Sequence, residues 1–292
     1  VVPSASIGYK LTDMSNLRLG YNMRIYRPGI WALNPYLNDA DPSYISRGNP
    51  ELDSEKSHAF NLSYSNFIQK FNVNISARYS FTNNSIENVT RLMPDTEIEG
   101  LKNPTGKDVL YSTYANIGKT RYASVNGYVN WNATSRTRIY MNMSGNYSYL
   151  EGGEGMRNDG WSLFAYGGAQ HTLPHDWRIS MNVFGQTPWI MLQGKGSSFF
   201  DYGVSVNKSF LNKRLTLSAF ASNFFKKYMN QSSTTEGSGF VRESNYKYSR
   251  QRFGVSVSYR IGELKASVKK AARTISNDDV KSGGGDSVGG GE

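Results

Sequence analysis

The eleven residues FNVNISARYSF, at positions 71–81, alternate apolar and polar side chains without interruption. Because successive side chains of a β-strand point to opposite faces, this pattern predicts a strand with one face in an apolar environment and one in water. The apolar environment could be the core of a soluble β-sandwich or the interior of a lipid bilayer. We find no clear amphipathic helix before residue 263, so the sequence predicts an all-β domain. The alternation recurs at 124–131, 139–149, 215–222 and 253–261.

Short and long connections between the predicted strands alternate along the chain. A meander with tight turns at one end and long loops at the other is typical of transmembrane barrels of the outer membrane. A sandwich has no reason to separate its loops in this way, so we predict an antiparallel up-and-down transmembrane β-barrel. The short connections are 12–16, 69–70, 133–136, 174–176 and 212–214. The long ones are 27–55, 94–108, 151–159, 194–197 and 228–238.

Placing strands between these connections gives about eleven strands, several of them longer than the roughly 9–11 residues that cross the hydrocarbon layer. We expect the excess at 71–93 and 109–132 to project beyond the outer surface. Eleven strands leave two open edges, which lipid does not tolerate, so we expect a partial barrel. The predicted strands are 4–11, 17–26, 56–68, 71–93, 109–132, 136–150, 160–173, 177–193, 197–211, 214–227 and 239–262.

Composition excludes several other classes of protein. The chain has 292 residues, no cysteine and a formal net charge of +10. The lack of cysteine excludes disulfide bonds and cysteine-based metal sites. The positive charge is spread along residues 1–262 rather than gathered in a patch, so we expect no nucleic-acid partner. Residues 263–292 are first basic and then rich in Gly and Ser, which predicts a disordered tail after a barrel part at 1–262.

Two groups of aromatic residues are candidates for specific roles. Trp131 and Trp177 lie beside tight turns, where a belt of aromatic side chains would meet the inner membrane interface, although they could be ordinary core aromatics. Four aromatics in predicted outer loops could stack on a flat or sugar-like ligand, or could simply pack the loops together. These are Trp31, Tyr36, Tyr44 and Trp161.

The sequence predicts no catalytic, cofactor-binding or metal-binding residue. The three histidines are scattered over loops and strand ends, and the acidic residues between 39 and 55 lack the spacing of a calcium loop. The glycine-rich segment 151–160 precedes no helix that could hold a phosphate. We therefore predict that the protein is not an enzyme.

The longest predicted loop, YRPGIWALNPYLNDADPSYISRGNPELDSEKSH at 26–58, resembles a segment of the TonB-dependent outer-membrane receptors. The resemblance is to the outer membrane β-barrel family common in Bacteroidetes. Segments 111–131 and 191–225 are also similar to strands of that family. The loop residues that carry the resemblance are Arg27, Pro28, Leu33, Asn34, Pro35, Asp41, Pro42, Gly48, Asn49, Pro50, Leu52 and Glu55.

The resemblance implies active uptake of a nutrient across the outer membrane. Such receptors are barrels of about 22 strands plugged by an N-terminal domain, which an inner-membrane TonB complex energises. This sequence has half the strands and no plug or TonB box, so we expect the C-terminal half of such a barrel. The implied partners are outer-membrane lipid, the TonB complex through the missing N-terminal region, and a surface lipoprotein. The alternatives are a passive outer-membrane pore or structural barrel, and a soluble β-sandwich that binds carbohydrate.

Overall fold

The computed structural model describes residues 2–262 and 280–281, and most of these residues lie in β-strands. Eleven strands form one antiparallel sheet in chain order, which confirms the predicted meander. They are β1 (Ser4–Thr12), β2 (Ser15–Pro28), β5 (Glu55–Ile68), β6 (Phe71–Pro94), β7 (Asp108–Trp131), β8 (Thr137–Glu151), β9 (Arg157–Leu173), β10 (Trp177–Gln186), β13 (Phe199–Phe210), β14 (Leu215–Ser222) and β17 (Arg252–Tyr259). The sheet does not close on itself, so the fold is a partial up-and-down barrel.

The smaller elements lie between these strands. A single-turn helix, α1 (Ile30–Leu33), and a short hairpin of β3 (Asn38–Asp41) and β4 (Tyr44–Ser46) follow β2. A four-stranded sheet contains β11 (Ile190–Met191), β12 (Gly194–Lys195), β15 (Tyr228–Gly237) and β16 (Phe240–Ser249). Most of the predicted disordered tail, 263–292, lies outside the described residues; within it, β18 (Val280–Lys281) pairs with Arg27 and Pro28 of β2.

Among residues 2–262 and 280–281, no helix has the length and apolar character needed to cross a membrane.

The strand register gives the sheet one apolar and one mainly polar face, because residues directly opposite each other in antiparallel strands share a face. One row across the sheet contains Ile7, Leu19, Leu62, Ala77, Val125, Gly145 and Leu163. The next row, on the other face, contains Gly8, Arg18, Ser63, Ser76, Asn126 and Ser144. The polar face also holds a cluster of Phe164, Phe184 and Phe199, which the alternation pattern did not predict.

The apolar face is turned outward and is not packed inside the protein. Ile75 and Met141 are each 48% exposed, and Val255 is 79% exposed. A β-sandwich would bury these side chains against a second sheet. Their exposure supports a face that lies against lipid acyl chains.

The tight turns lie at one end of the sheet, as predicted. The connection between β13 and β14 reverses through Leu211, Asn212 and Lys213, all with positive φ angles between 51° and 65°. The turn between β9 and β10 uses His175 and Asp176 in the same left-handed region. In outer-membrane barrels the short turns face the periplasm, so this end of the sheet is the inner end.

The outer end differs from the prediction at several strands, among them 214–227, which ends at Ser222. Residues 228–238, predicted as a loop, are mostly strand β15, which forms a hairpin with β16 through a two-residue turn at Ser238 and Gly239. The predicted strand 239–262 is therefore two strands, and the predicted strand 177–193 ends at Gln186. The segment 228–249 is polar on both faces because it stands above the bilayer, so no alternation marks its strands.

The buried hydrophobic clusters lie among the outer loops. Each joins a loop to the main sheet or to the smaller sheet. Strands β6 and β7 project outward as a long ribbon with register irregularities near Thr82 and Ser85, as expected from their excess length. Within the part of the chain that the structure describes, the buried hydrophobic clusters therefore form where water surrounds the protein. The clusters are Ala32, Leu52 and Ile86; Ile45, Ile98 and Val109; and Leu150, Ile190 and Leu192.

Candidate ligand-binding site

The loop after β2 folds back against the projecting ribbon of β6 and β7. The Asn49 side-chain amide donates to the Tyr114 carbonyl at 3.0 Å, and the Asp53 N–H donates to the Asn116 Oδ1 at 2.8 Å. The Glu55 carboxylate, which is only 4% exposed, accepts a hydrogen bond from the Ile86 N–H. These bonds satisfy backbone groups that the loop would otherwise leave unpaired, so the loop has a defined position.

The Gly48 position explains much of the loop motif found in the sequence. The Gly48 N–H donates to the Asn34 carbonyl at 2.9 Å, and the Asn49 N–H donates to the Ala32 carbonyl at 2.6 Å. A Cβ on Gly48 would lie 2.6–2.7 Å from backbone atoms of Asn34 and Ala32. Two distant parts of the loop therefore meet here with no room for a side chain.

The other motif residues lie where the chain changes direction. Arg27 and Pro28 end β2, and Leu33 ends helix α1. Pro35 follows the Asn34 that caps this helix, and Pro50 follows Asn49. Proline has a fixed φ and no N–H to donate, so it suits strand ends, helix ends and turns.

The folded loop forms one wall of a cavity of about 690 Å³ at the outer end of the sheet. The ribbon, β8 and the segment 190–193 form the other walls. Trp31, Tyr36 and Tyr44 all line this cavity, and the first two are 75% and 72% exposed. The Arg242 guanidinium lies over the Tyr44 ring, 3.8 Å from its centroid, and restrains it. The structure therefore brings three of the four predicted loop aromatics together.

Trp161 lies elsewhere, on strand β9 and on the apolar face of the sheet. It is opposite Tyr147, with the two ring centroids 5.4 Å apart. The predicted loop 151–159 is shorter than expected because β9 begins at Arg157. Trp161 thus points away from the cavity.

The polar groups of the cavity are mostly amides and hydroxyls. Asn34, Asn38, Asn88 and Gln193 contribute amides, and the charged residues among the described lining are Arg47 and Glu87. Gln193 connects the smaller sheet to the ribbon, since its side chain donates to the Thr90 carbonyl at 2.8 Å and accepts from the Thr90 N–H at 2.7 Å. Burial raises the pKa of the Tyr114 phenol, which therefore stays neutral and can act as a donor or acceptor.

Two carboxylates of the outer loops are held in their charged form by local hydrogen bonds. Hydrogen bonds from the Ser43 side chain and backbone lower the pKa of Asp41. Hydrogen bonds from Thr105 and Gly106 lower the pKa of Asp95, which fixes the tip of the loop between β6 and β7. The Arg47 guanidinium donates to the Glu99 carbonyl in this same loop, so the two long loops support each other.

The two predicted interface tryptophans both lie on the apolar face near the inner end. Trp131 is opposite Phe71 and Ile139, and Trp177 is opposite Leu173. They are 44% and 41% exposed, so they are not core residues. This placement is the one that an inner aromatic belt requires, and their role at the interface remains a proposal.

A second row of aromatics crosses the apolar face nearer the outer end, and sequence reasoning missed it. The row passes through Ala123, eight residues before Trp131 on β7. That spacing is about 26 Å along the strand, or about 20 Å across a bilayer for strands tilted by about 40°. The signal in the sequence was an aromatic residue near the outer end of the apolar face, which recurs on several successive strands. The row contains Tyr21, Phe60, Tyr79, Tyr147 and Trp161.

Among residues 2–262 and 280–281, no three His, Asp or Glu side chains are grouped closely enough to hold a metal ion. The histidines take part in local contacts. The His58 ring stacks on Phe81 at 4.9 Å, and its Nδ1 lies 2.9 Å from the Tyr21 hydroxyl. The His171 Nδ1 lies 2.8 Å from the Thr137 hydroxyl.

Solved structures share this strand arrangement at low sequence identity. The copper transporter OprC is 14% identical with a TM-score of 0.61, and the match covers 88% of this chain and 40% of that one. A mutant of the ferric enterobactin receptor PfeA from Pseudomonas aeruginosa is 16% identical with a TM-score of 0.58, and the same shares are covered. The siderophore receptor PirA from Pseudomonas aeruginosa is 17% identical with a TM-score of 0.54, covering 77% and 39%. The chain thus spans less than half the length of these proteins.

The sequence itself identifies the family. No curated protein matches the chain. The profile of the outer membrane protein beta-barrel family matches residues 1–259, nearly all of the part that forms the sheet. The chain therefore belongs to the outer membrane protein beta-barrel family and is a protein of the outer membrane, with the fold of the outer-membrane transporters and receptors described above.

Proposed function

We propose that this chain is the C-terminal part of the barrel of a TonB-dependent receptor that takes up a nutrient across the outer membrane. The observation that carries the proposal is the built cavity at the outer end, between a hydrogen-bonded loop and the projecting ribbon. It lies on the side of the sheet that carries the polar rows, where a substrate enters a barrel lumen. The fold shared with a copper transporter and siderophore receptors supports transport rather than catalysis.

The cavity lining favours a neutral ligand with flat ring faces and many hydroxyls, such as a sugar or oligosaccharide. Trp31 and Tyr36 offer exposed aromatic faces, on which the apolar side of a sugar ring can stack. The surrounding amides and hydroxyls match a neutral, hydroxyl-rich ligand better than a strongly charged one. Trp161 is left out of this site because it lies on the lipid-facing side, in the outer aromatic row.

The partners follow from this role. Lipid surrounds the apolar face, and the inner-membrane TonB complex would act through an N-terminal region that the present sequence does not include. A surface lipoprotein that covers the outer loops is compatible with the exposed hairpin β15–β16.

A double substitution in the cavity tests the proposed ligand site. We expect Trp31→Ala with Tyr36→Ala, made in the full-length receptor, to weaken binding of the transported compound at least tenfold, about 1.4 kcal/mol. The measurement is uptake and binding of a panel of labelled mono- and oligosaccharides, ferric siderophores and copper complexes. Tyr246→Ala is the matched control, because this exposed tyrosine does not line the cavity.

The same panel separates the competing functions. Energised uptake stops when TonB is deleted, whereas a passive pore continues to admit solutes and shows no saturation. If no compound in the panel is transported, or if the double variant transports its compound as well as the control does, the proposed site is wrong.

A further inference from the structure

The inner end of the sheet carries a cluster of cations that the transport function does not use. We call Lys208, Lys213, Arg214 and Arg260 the inner cationic rim. They lie at the end of β13, in the turn to β14, and just after β17. The Arg260 N–H donates to the Arg214 carbonyl at 2.8 Å, so the two arginines are adjacent.

Lys208 occupies an unusual place, because it lies in a row of the apolar face. It is directly opposite Trp177 and Leu217, and Leu217 is in turn opposite Val257. Its Nζ lies 5.4 Å from the centroid of Trp177 and 5.3 Å from that of Phe210. The ammonium also donates to the His175 carbonyl in the neighbouring tight turn. A lysine in this setting extends its apolar stem along the sheet and brings its charge to the membrane boundary.

Exposed apolar side chains surround these cations. Phe210 and Tyr259 share the last row of the apolar face, and they are 40% and 55% exposed. Leu211 and Ile261 are 63% and 89% exposed beside the cations of the turn and of the strand end. This surface combines cations with exposed apolar groups at the edge of a lipid-facing sheet. It therefore fits an amphipathic molecule, such as a lipid, better than a water-soluble anion.

Among the residues that the structure describes, few acidic side chains lie at this end of the sheet. Asp176 lies in the turn next to Lys208, and Asp13 in a more distant turn is paired with Lys10 at 3.1 Å. Ammonium and guanidinium groups bind phosphate oxygens strongly through charge-assisted hydrogen bonds. The Lys208 ammonium has three N–H donors. The His175 carbonyl accepts a hydrogen bond from one of them, so the ammonium can also donate to a phosphate oxygen.

We propose that the inner cationic rim is a binding site for an anionic phospholipid in the inner leaflet of the outer membrane. The lipid phosphate lies between Lys208 and the turn residues Lys213 and Arg214. The acyl chains run along the apolar face past Trp177 and Leu217. Anionic lipid is selected over zwitterionic lipid because the rim has excess positive charge, at about fivefold for each cation near the surface.

The test uses the full-length receptor purified in detergent and offered an equimolar mixture of phosphatidylglycerol and phosphatidylethanolamine. Native mass spectrometry counts each lipid that remains bound. We expect the wild type to retain phosphatidylglycerol at least fivefold over phosphatidylethanolamine. In the variant Lys208→Met with Lys213→Gln, the ratio falls at least fivefold from the wild-type value, and raising the salt concentration lowers the wild-type ratio as well.

A matched pair of lysines at the opposite end provides the control. Lys102→Gln with Lys107→Gln removes the same charge from an exposed outer loop and leaves the lipid ratio unchanged. Folding of each variant is checked by its heat-dependent gel mobility; if the rim variant does not fold, Lys213→Gln alone still lowers the ratio severalfold. A wild type without preference, a rim variant that keeps the preference, or an equal loss in the control would each overturn the proposal.

Discussion

We expect the variant Met143→Arg to lower the free energy of unfolding of the barrel by about 2–4 kcal/mol. Met143 is 49% exposed on the apolar face, in a row roughly midway between the inner and outer aromatic rows. A charge at the middle of the bilayer loses its hydration without gaining a partner. The measurement is equilibrium unfolding of the full-length receptor in lipid vesicles by urea.

The adjacent residue provides a control at the same depth. Ser144 faces the polar side, opposite Asn126, so Ser144→Arg places the same charge toward the lumen. We expect its effect on the free energy of unfolding to stay below about 1 kcal/mol. Equal destabilisation by the two variants would mean that the two faces of β8 see the same environment.

The variant Gly48→Val detaches the loop 29–53 from the ribbon and removes the cavity. The contacts that a Cβ would make here are with backbone atoms at 2.6–2.7 Å, and no change of rotamer can relieve them. Overpacking of this kind costs about 1–3 kcal/mol, more than a surface loop is expected to withstand. The measurement is limited proteolysis of the folded receptor, in which we expect cleavage within the loop to become at least tenfold faster.

The matched glycine for this experiment is Gly127, where a Cβ would meet nothing within 4 Å. Gly127→Val adds the same side chain on the lipid face of β7 and leaves loop cleavage unchanged. A Gly48→Val receptor whose loop resists protease as well as the wild type would show that the close contact of residues 32–34 with Gly48 does not hold the loop.

The membrane-spanning part could be predicted from the sequence because lipid selects one face of every strand. In β6 and β8 the period of two runs through most of the bilayer segment, and tight turns mark the inner ends. Trp131 and Trp177 lie beside these turns on the apolar face, and their role at the interface stays a prediction. A local pattern is enough when the environment of each residue depends only on its depth and its face.

The outer part could not be predicted because its packing joins residues distant in the sequence. The hairpin β15–β16 is polar on both faces, and Gln193 reaches Thr90 across more than one hundred residues. Trp161 lies inside the predicted strand 160–173, and β9 extends this strand back to Arg157, so the side chain lies on the apolar face rather than in a loop. The meeting of Trp31, Tyr36 and Tyr44 at one cavity depends on the fold of their loop around Gly48, which sequence spacing does not reveal.

The most direct test of the central claim is a scan of lipid contact along β8. Single cysteines are introduced at successive positions from 139 to 149 in a cysteine-free receptor, labelled with a fluorophore and exposed to brominated lipids. We expect strong quenching at Ile139, Met141 and Met143 and weak quenching at Asn142, Ser144 and Asn146. Quenching that shows no period of two, or that is strong at the polar positions, would contradict the assignment of the apolar face to lipid.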